Sequence, residues 1–504
     1  MAPDLELTNP SRLVLNIFPS ATNACRRRLS NVSGKTTMSR TVDVDLESAK
    51  VAAAEREELG SKNAAEYEQV RPTAYLDGLR GLAALLVYFS HNVPWWYGFE
   101  GGIEHGFGYH GERMLATFPF VRSLFSGGAS AVAIFFVMSG YVLSIAPLRM
   151  LCEGRTTEAR WHLLAALIKR PFRLFLPVAA ISLVFALVMQ LPFGMAPHLE
   201  WPKPEPTLSA ELRRWTKELG LTINPLVEHG QFTHWFCYDP PAWTMTAEHR
   251  GSMLVFSVLA TFSFTRVKWW IYACGFTALL MLVVYQWELA CFLFGLVLAI
   301  NDLEKFDQAI LASRLSRQSQ HIFYHFVFFA GWYILGQPHG VREPELSYGT
   351  PGLYFMTKML PSYYYNNEFW RFWNTIGATM LIYGTMNIRW IQSFLLWPSL
   401  RCLGRVSFSL YLIHIPIAWT IGDRVCRLLG VVRQDFTTEY DGLLAIPDVG
   451  PRGFSTGLLV WQAVVLPLNL LLASWATKKI DKPSVAVERW IVARLGLARD
   501  SSRP

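Results

Sequence analysis

Arg80 and His91 lie eleven residues apart in Tyr75-Leu-Asp-Gly-Leu-Arg-Gly-Leu-Ala-Ala-Leu-Leu-Val-Tyr-Phe-Ser-His91, a run that is otherwise largely apolar. On a helix, eleven residues at about 100° each set both side chains on nearly one face, ~16 Å apart along the axis. An imidazole titrates near neutral pH, so it can take a proton from a hydroxyl and later return one. A guanidinium holds an anion. Each residue also has a plainer reading. His91 could be hydrogen-bonded within a helix bundle, and Arg80 could pair with Asp77 at i,i+3.

Further candidates follow along the chain. Arg170-Pro-Phe-Arg173 sets two arginines one turn apart, with Pro171 where a helix would start. At a helix N-terminus the pair would clamp a phosphate, since fork and dipole both favour anions; otherwise the two are topological anchors. Ser139-Gly140 suits close helix packing, or a hydroxyl lining a site. Glu248 is a carboxylate expected where a lumenal loop re-enters the membrane. It would orient a histidine, or pair with Arg250 or another base. Tyr411 and His414 share a helix face and read as structural hydrogen-bonding groups. The histidines and cysteines lack metal-ligand spacing, so no metal is expected.

These residues must be positioned by membrane-spanning helices. Of 504 residues, 52% are hydrophobic and only 17% charged, against about 25% in soluble domains. Nineteen tryptophans and nineteen tyrosines suit two water–lipid interfaces. The formal charge of +8 is scattered through short loops, as positive-inside topology requires, and does not indicate nucleic acid. An ionisable group near the centre of a bilayer costs roughly 2.5–3.5 kcal/mol, so Arg80 and His91 need a polar purpose.

Apolar windows fall near 75–93, 129–147, 173–193, 251–265, 269–285, 288–301, 322–336, 372–387, 402–421 and 456–477. They predict an all-α, polytopic helical bundle of about ten transmembrane helices with both termini cytosolic. Residues 1–70 read as a largely disordered cytosolic tail, 71–480 as the transmembrane domain and 481–504 as a cytosolic C-terminal tail. No cleavable signal peptide is expected, because Leu13–Phe18 is too short for a signal core. The loops 194–250 and 337–371 are rich in proline and aromatics, which resists regular helix and suits a lid. Cys237 and Cys426 both fall on the expected lumenal side, where a bridge between them would be permitted.

Leu76-Asp-Gly-Leu-Arg-Gly81 followed by His91 resembles the signature of the acyltransferase-3 family of integral membrane O-acyltransferases. Ile134-Phe-Phe-Val-Met-Ser-Gly-Tyr-Val-Leu-Ser144 is similar to that family's FFxxSG segment, and Arg170-Pro-Phe-Arg173 to its RxxR element. Ala242-Trp-Thr-Met-Thr-Ala-Glu248 resembles its W-S-L-x-x-E segment, and Leu403-Gly-Arg-Val-Ser-Phe-Ser-Leu-Tyr-Leu-Ile-His414 its LGxxSYSLYLxH stretch. Where the family often carries a second glutamate, His249 follows Glu248.

The resemblance implies a fungal-type, single-module enzyme that moves an acyl group, acetyl foremost, from acyl-CoA to a hydroxyl. His91, Glu248 and Arg80 would be catalytic. Arg170, Arg173 and Ser139 would bind the acyl-CoA co-substrate, and no cofactor would be held permanently. The expected partners are acyl-CoA, a small hydroxylated acceptor and the lipid bilayer of the endoplasmic reticulum or plasma membrane. The aromatic loops favour a lipophilic acceptor such as a terpenoid of secondary metabolism. Cell-surface carbohydrate is the alternative acceptor, and a proton-coupled transporter the alternative class.

Overall fold

A computed structural model describes residues 73–98, 103–192, 202–227, 235–264, 269–339, 344–365, 367–431 and 437–497. The expected tail at 1–70 lies outside the described residues. Regular structure among the described residues is helical throughout. The long helices are α1 (Tyr75–Tyr97), α2 (Gly128–Cys152), α3 (Thr156–Met189), α4 (Leu208–Ile223), α5 (Trp243–Phe262) and α6 (Trp270–Val283). They continue as α7 (Trp287–Glu304), α8 (Arg317–Ile334), α9 (Trp370–Asn387), α10 (Pro398–Ile417), α11 (Thr456–Ala476) and α12 (Lys482–Arg494).

Each of the ten apolar windows falls on one of these helices. Four stretches are long and apolar enough to cross a membrane: Gly128–Cys152, Thr156–Met189, Pro398–Leu428 and Thr456–Arg494. The last two continue α10 and α11 through π-turns at Ala418–Gly422 and Thr477–Asp481. The 23 residues of α1 rise ~35 Å, but Asp77, Arg80, His91 and Asn92 dilute its apolar character.

The helices belong to one unit, Tyr75–Leu151 with Thr156–Pro504; a second unit comprises Met1–Ala74 and Cys152–Arg155. In the second, the described residues include a turn at Gly154 and an Arg155–Glu153 ion pair.

Helix pairs in the first unit meet backbone to backbone. A Cβ on Gly81 would lie 2.5 Å from the Leu400 carbonyl oxygen, and one on Gly404 2.0 Å from that of Asp77. Small residues are what allow such an approach where lipid supplies no hydrophobic drive. The motif glycines therefore hold α1 against α10. Farther along, His91 meets His414, so the two helices run parallel. Across α2 and α7, Gly140 and Gly295 make an equivalent contact, which gives Gly140 the packing role expected from its sequence context. Antiparallel to α1, α11 is tied to it by Tyr88 Oη donating to Gln462 Oε1 at 2.8 Å. Antiparallel to α3, α5 is tied to it at its C-terminal end by Arg160 Nε to Ser263 Oγ (2.9 Å) and at its middle by Arg170 Nε to Ser252 Oγ (2.8 Å).

Four expectations change. First, α3 starts at Thr156, so Arg170 and Pro171 sit in its interior and not at its N-terminus. Second, α5 starts at Trp243, well before the apolar window, because its first turns are buried by polar contacts rather than by apolarity. Glu248 is thus buried inside the bundle, in the second turn of a helix. Third, the proline-rich loop contains α4, which begins once the prolines end at Pro206. Thr207 caps it, and buried Glu211 accepts from Arg214 Nη2 at 2.6 Å. Fourth, no disulfide joins Cys237 to Cys426. Burial pushes the Cys237 thiol up to about 12, so it stays protonated and unreactive.

The glycine contact between α1 and α10 predicts that Gly404→Leu destabilises the protein by roughly 2–3 kcal/mol. Gly275→Ala is the control, since a Cβ there meets nothing within 4 Å. Thermal unfolding of the detergent-solubilised protein, followed by fluorescence-detected size exclusion, should show a large loss for the first and little change for the second.

Candidate functional site

A cavity of about 310 Å³ opens among α1, α2, α3, α5, α10 and the turn before α12. It is lined by Arg80, Ser139, Arg170, Arg173, Glu248, Arg405, Tyr411 and Asp481, with Phe135, Phe136, Leu174 and Phe408 as apolar wall. Five of the six residues expected from the sequence meet here: Arg80, Ser139, Arg170, Arg173 and Glu248. His91 does not line it.

Three of the four arginines already have carboxylate partners. Arg80 Nη1 stands 3.6 Å from Asp77 Oδ1, the local pairing that the i,i+3 spacing allowed. Arg170 donates through Nη2 to Glu248 Oε1 and through Nε to Ser252 Oγ, and Ser252 donates on to the Glu248 carbonyl at 2.6 Å. Arg173 donates to Asp481 Oδ1, and its guanidinium stands 5.5 Å from the Phe408 ring. Arg405 is exposed and has no ion pair among the described residues. The lining holds four arginines against two carboxylates, so its formal charge is +2. An anion entering it meets one unengaged guanidinium and three that are already bridged.

Glu248 therefore meets neither a histidine nor Arg250. Arg250 turns to Glu288 at 3.6 Å and to Gln286 Oε1 at 3.4 Å. Glu248 is instead the counter-ion that lets Arg170 exist inside the bundle. His249 packs its ring edge-on to Phe175, with centroids 5.8 Å apart.

His91 lies ~16 Å farther along α1 than Arg80. Its Nδ1 is 2.9 Å from the Val87 carbonyl oxygen, which can only accept, so Nδ1 carries the proton. That leaves the Nε2 lone pair free, as a base requires. No hydrogen bond to Nε2 is found among the described residues, and the side chain is accessible. The ring packs edge-to-face against His414 at 5.0 Å. His414 is joined in turn to Tyr411 of the cavity wall, whose hydroxyl lies 2.8 Å from Thr244 Oγ1 and donates to the Pro241 carbonyl at 3.2 Å. The arginine cavity and the histidine are thus connected through two successive turns of α10.

Sequence reasoning missed Arg405, Asp481 and the approach of His414 to His91. Arg405 stood inside a quoted motif, Leu403-Gly-Arg, and was passed over as loop charge. Asp481 lies in the segment read as a tail, and nothing local marks it. The two-histidine contact joins residues 323 positions apart in sequence, beyond the reach of spacing.

The family model described as an acyltransferase domain matches residues 73–477. Among curated proteins, the O-acetyltransferase PaAT-1 of Phomopsis amygdali is 27% identical over 466 residues, covering 86% of this chain and 87% of that protein. Acyltransferase R4 of a Phoma species is 23% identical over 464 residues, covering 82% of this chain and 94% of that protein. No solved structure matches.

Because Glu248 and Arg170 are mostly buried, removing one partner strands the other. Arg170→Ala should cost about 3 kcal/mol in stability, and the double variant Arg170→Ala/Glu248→Ala should recover a large part of that. A double-mutant cycle on thermal unfolding measures the coupling. Simple additivity of the two single losses would mean that the pair is energetically idle.

Proposed function

The chain belongs to the acyltransferase-3 family and is a membrane O-acyltransferase, and from that premise we propose that it carries an acetyl group from acetyl-CoA to a hydroxyl of a small lipophilic acceptor. The observation that carries this reading is the net-positive cavity set ~16 Å along α1 from a histidine whose Nε2 is free. A donor with phosphates at one end and a thioester at the end of a long arm matches that separation of charge from base. Arg405, the guanidinium without an ion pair among the described residues, takes a donor phosphate. The bridged Arg170 and Arg173 supply positive field and shape the wall.

In the direct route, His91 Nε2 takes the acceptor's hydroxyl proton as its oxygen attacks the acetyl carbonyl carbon. A C–O bond forms, the C–S bond breaks, and the proton passes from His91 to the departing thiolate. In the two-step route Nε2 itself attacks first, and an acetyl-histidine is then cleaved by the acceptor. A pre-steady-state burst of free CoA separates them, since only the second releases CoA before ester forms.

The acetyl group is supported by the Phomopsis relative, which is an O-acetyltransferase. A lipophilic acceptor such as a terpenoid, made in secondary metabolism, is supported by the aromatic loop segments around Trp235–Trp243 and Tyr363–Tyr365. Ten membrane crossings with cytosolic termini, in the endoplasmic reticulum or plasma membrane, are supported by the alternating directions of packed helices and the denser basic residues of the short loops. That topology puts Arg80 at the cytosolic mouth, where acetyl-CoA is found.

Purified protein in detergent, given labelled acetyl-CoA and a terpenoid alcohol, should form labelled ester without any ion gradient. Transfer only to a sugar polymer would move the acceptor to carbohydrate, and flux across sealed vesicles without ester would make the protein a transporter. His91→Ala should lower kcat by about 10²-fold or more while the protein still inserts and folds.

Arg405→Ala should raise the KM for acetyl-CoA about tenfold and leave the acceptor KM within twofold. An unchanged donor KM would return Arg405 to the role of a topological charge.

A further inference from the structure

The transfer chemistry uses His91 and leaves the buried His414 beside it without a task. His414 in α10 is 1% exposed. Its Nδ1 is 2.7 Å from the Tyr411 carbonyl oxygen, and a carbonyl can only accept, so Nδ1 carries the proton. The other ring nitrogen, Nε2, is buried with no hydrogen-bond partner. An unsatisfied buried acceptor is unfavourable, and native folds keep few of them without a reason.

The surroundings supply one. The His414 ring stands edge-to-face on the His91 ring, with centroids 5.0 Å apart and planes at 63°. Both histidines are held in the same tautomer by a carbonyl of their own helix, Val87 for His91 and Tyr411 for His414. Both consequently offer a bare Nε2. The glycine contacts between α1 and α10 fix the register of the two helices, so the rings cannot slide past each other. Tyr411, whose carbonyl sets the His414 tautomer, also lines the arginine cavity and is itself pinned to Thr244 and Pro241. The base, its neighbour and the cavity wall are therefore one rigid assembly.

We propose that His414 is a positioning residue for acyl transfer, whose bare Nε2 lone pair, beside the His91 ring, stabilises the positive charge that this ring gains during the reaction. When His91 Nε2 takes the acceptor's proton, the new N–H stays directed at the reacting oxygen and sulfur, and the positive charge spread over the ring is stabilised by a lone pair beside it. A neutral imidazole supplies that lone pair without adding charge. His414 itself neither gains nor loses a proton. The C–O bond forms, the C–S bond breaks, and the proton leaves His91 for the thiolate. A lone pair that has no partner in the resting enzyme and lies beside positive charge in the intermediate stabilises the second state relative to the first, which raises kcat and not affinity.

The inference rests on the O-acyl-transfer reading, and the test separates the two. His414→Phe keeps a ring of similar shape and removes the lone pair; His414→Gln keeps an acceptor oxygen. Both are made in the full-length protein and assayed with labelled acetyl-CoA and a terpenoid alcohol, alongside thermal unfolding. His414→Phe should lower kcat by roughly 10- to 100-fold, with both KM values within twofold and stability equal to or above wild type. His414→Gln should recover a good part of that loss. In a His91→Ala background, His414→Phe should add no further loss, because the group it serves is gone. If His414→Phe does not fold, the His414→Gln variant decides, by near-normal kcat in support or by a KM increase against. Wild-type kcat in folded His414→Phe overturns the positioning role alone. Absence of ester from the wild-type enzyme with every acceptor overturns the transfer reading and this inference together.

Discussion

The backbone contact between α1 and α10 is the constraint on which the rest of the site depends. Gly81 and Gly404 carry no side chain between the helices, so the chains approach until carbonyl oxygens occupy the space a Cβ would need. At that distance there is one register. It sets Arg80 beside Arg405 at one end of the pair and His91 against His414 at the other. Neither the arginine cavity nor the histidine contact could form on helices held a side chain farther apart. α11, strapped to α1 by Tyr88 and Gln462 and to α10 by Thr477 and Ser409 (2.9 Å), closes the same three-helix unit.

Charge in the cavity is arranged on a second principle. A bundle in lipid tolerates arginines when each finds a carboxylate, and Arg80, Arg170 and Arg173 find Asp77, Glu248 and Asp481 on three different elements. These pairs join α3 to α5 and α3 to the turn before α12, so they are structural ties as much as a field. What the ties leave over is a net positive charge and Arg405, which has no ion pair among the described residues. The arginines that look most functional in sequence are thereby the most engaged within the protein.

Helices were legible because apolar runs of membrane length are hard to mistake, and the motif residues Arg80, Ser139, Arg170, Arg173 and Glu248 do share one cavity. Starts of helices were not. The first turns of α5 are polar, and charged residues on both sides of Leu163–Ile168 interrupt the first half of α3, so no continuous apolar run marks Trp243 or Thr156 as a helix start. α4 hid behind the prolines that precede it. Pairing partners were least legible of all. Glu248 has Arg250 two residues away and chooses Arg170 at a distance of 78 residues, because helix packing and not chain proximity decides which guanidinium it faces.

Asp481 carries a consequence for how the protein comes into being. It lies in the π-turn that leads into α12, roughly four hundred residues after Arg80, yet both face the same cavity. During synthesis α1 is made long before that turn, its arginine held by Asp77. The cavity has no complete wall until the Asp481 turn docks on Arg173. Maturation of the cavity thus waits on a late turn of chain, which acts as the bolt on a chamber that α1 began.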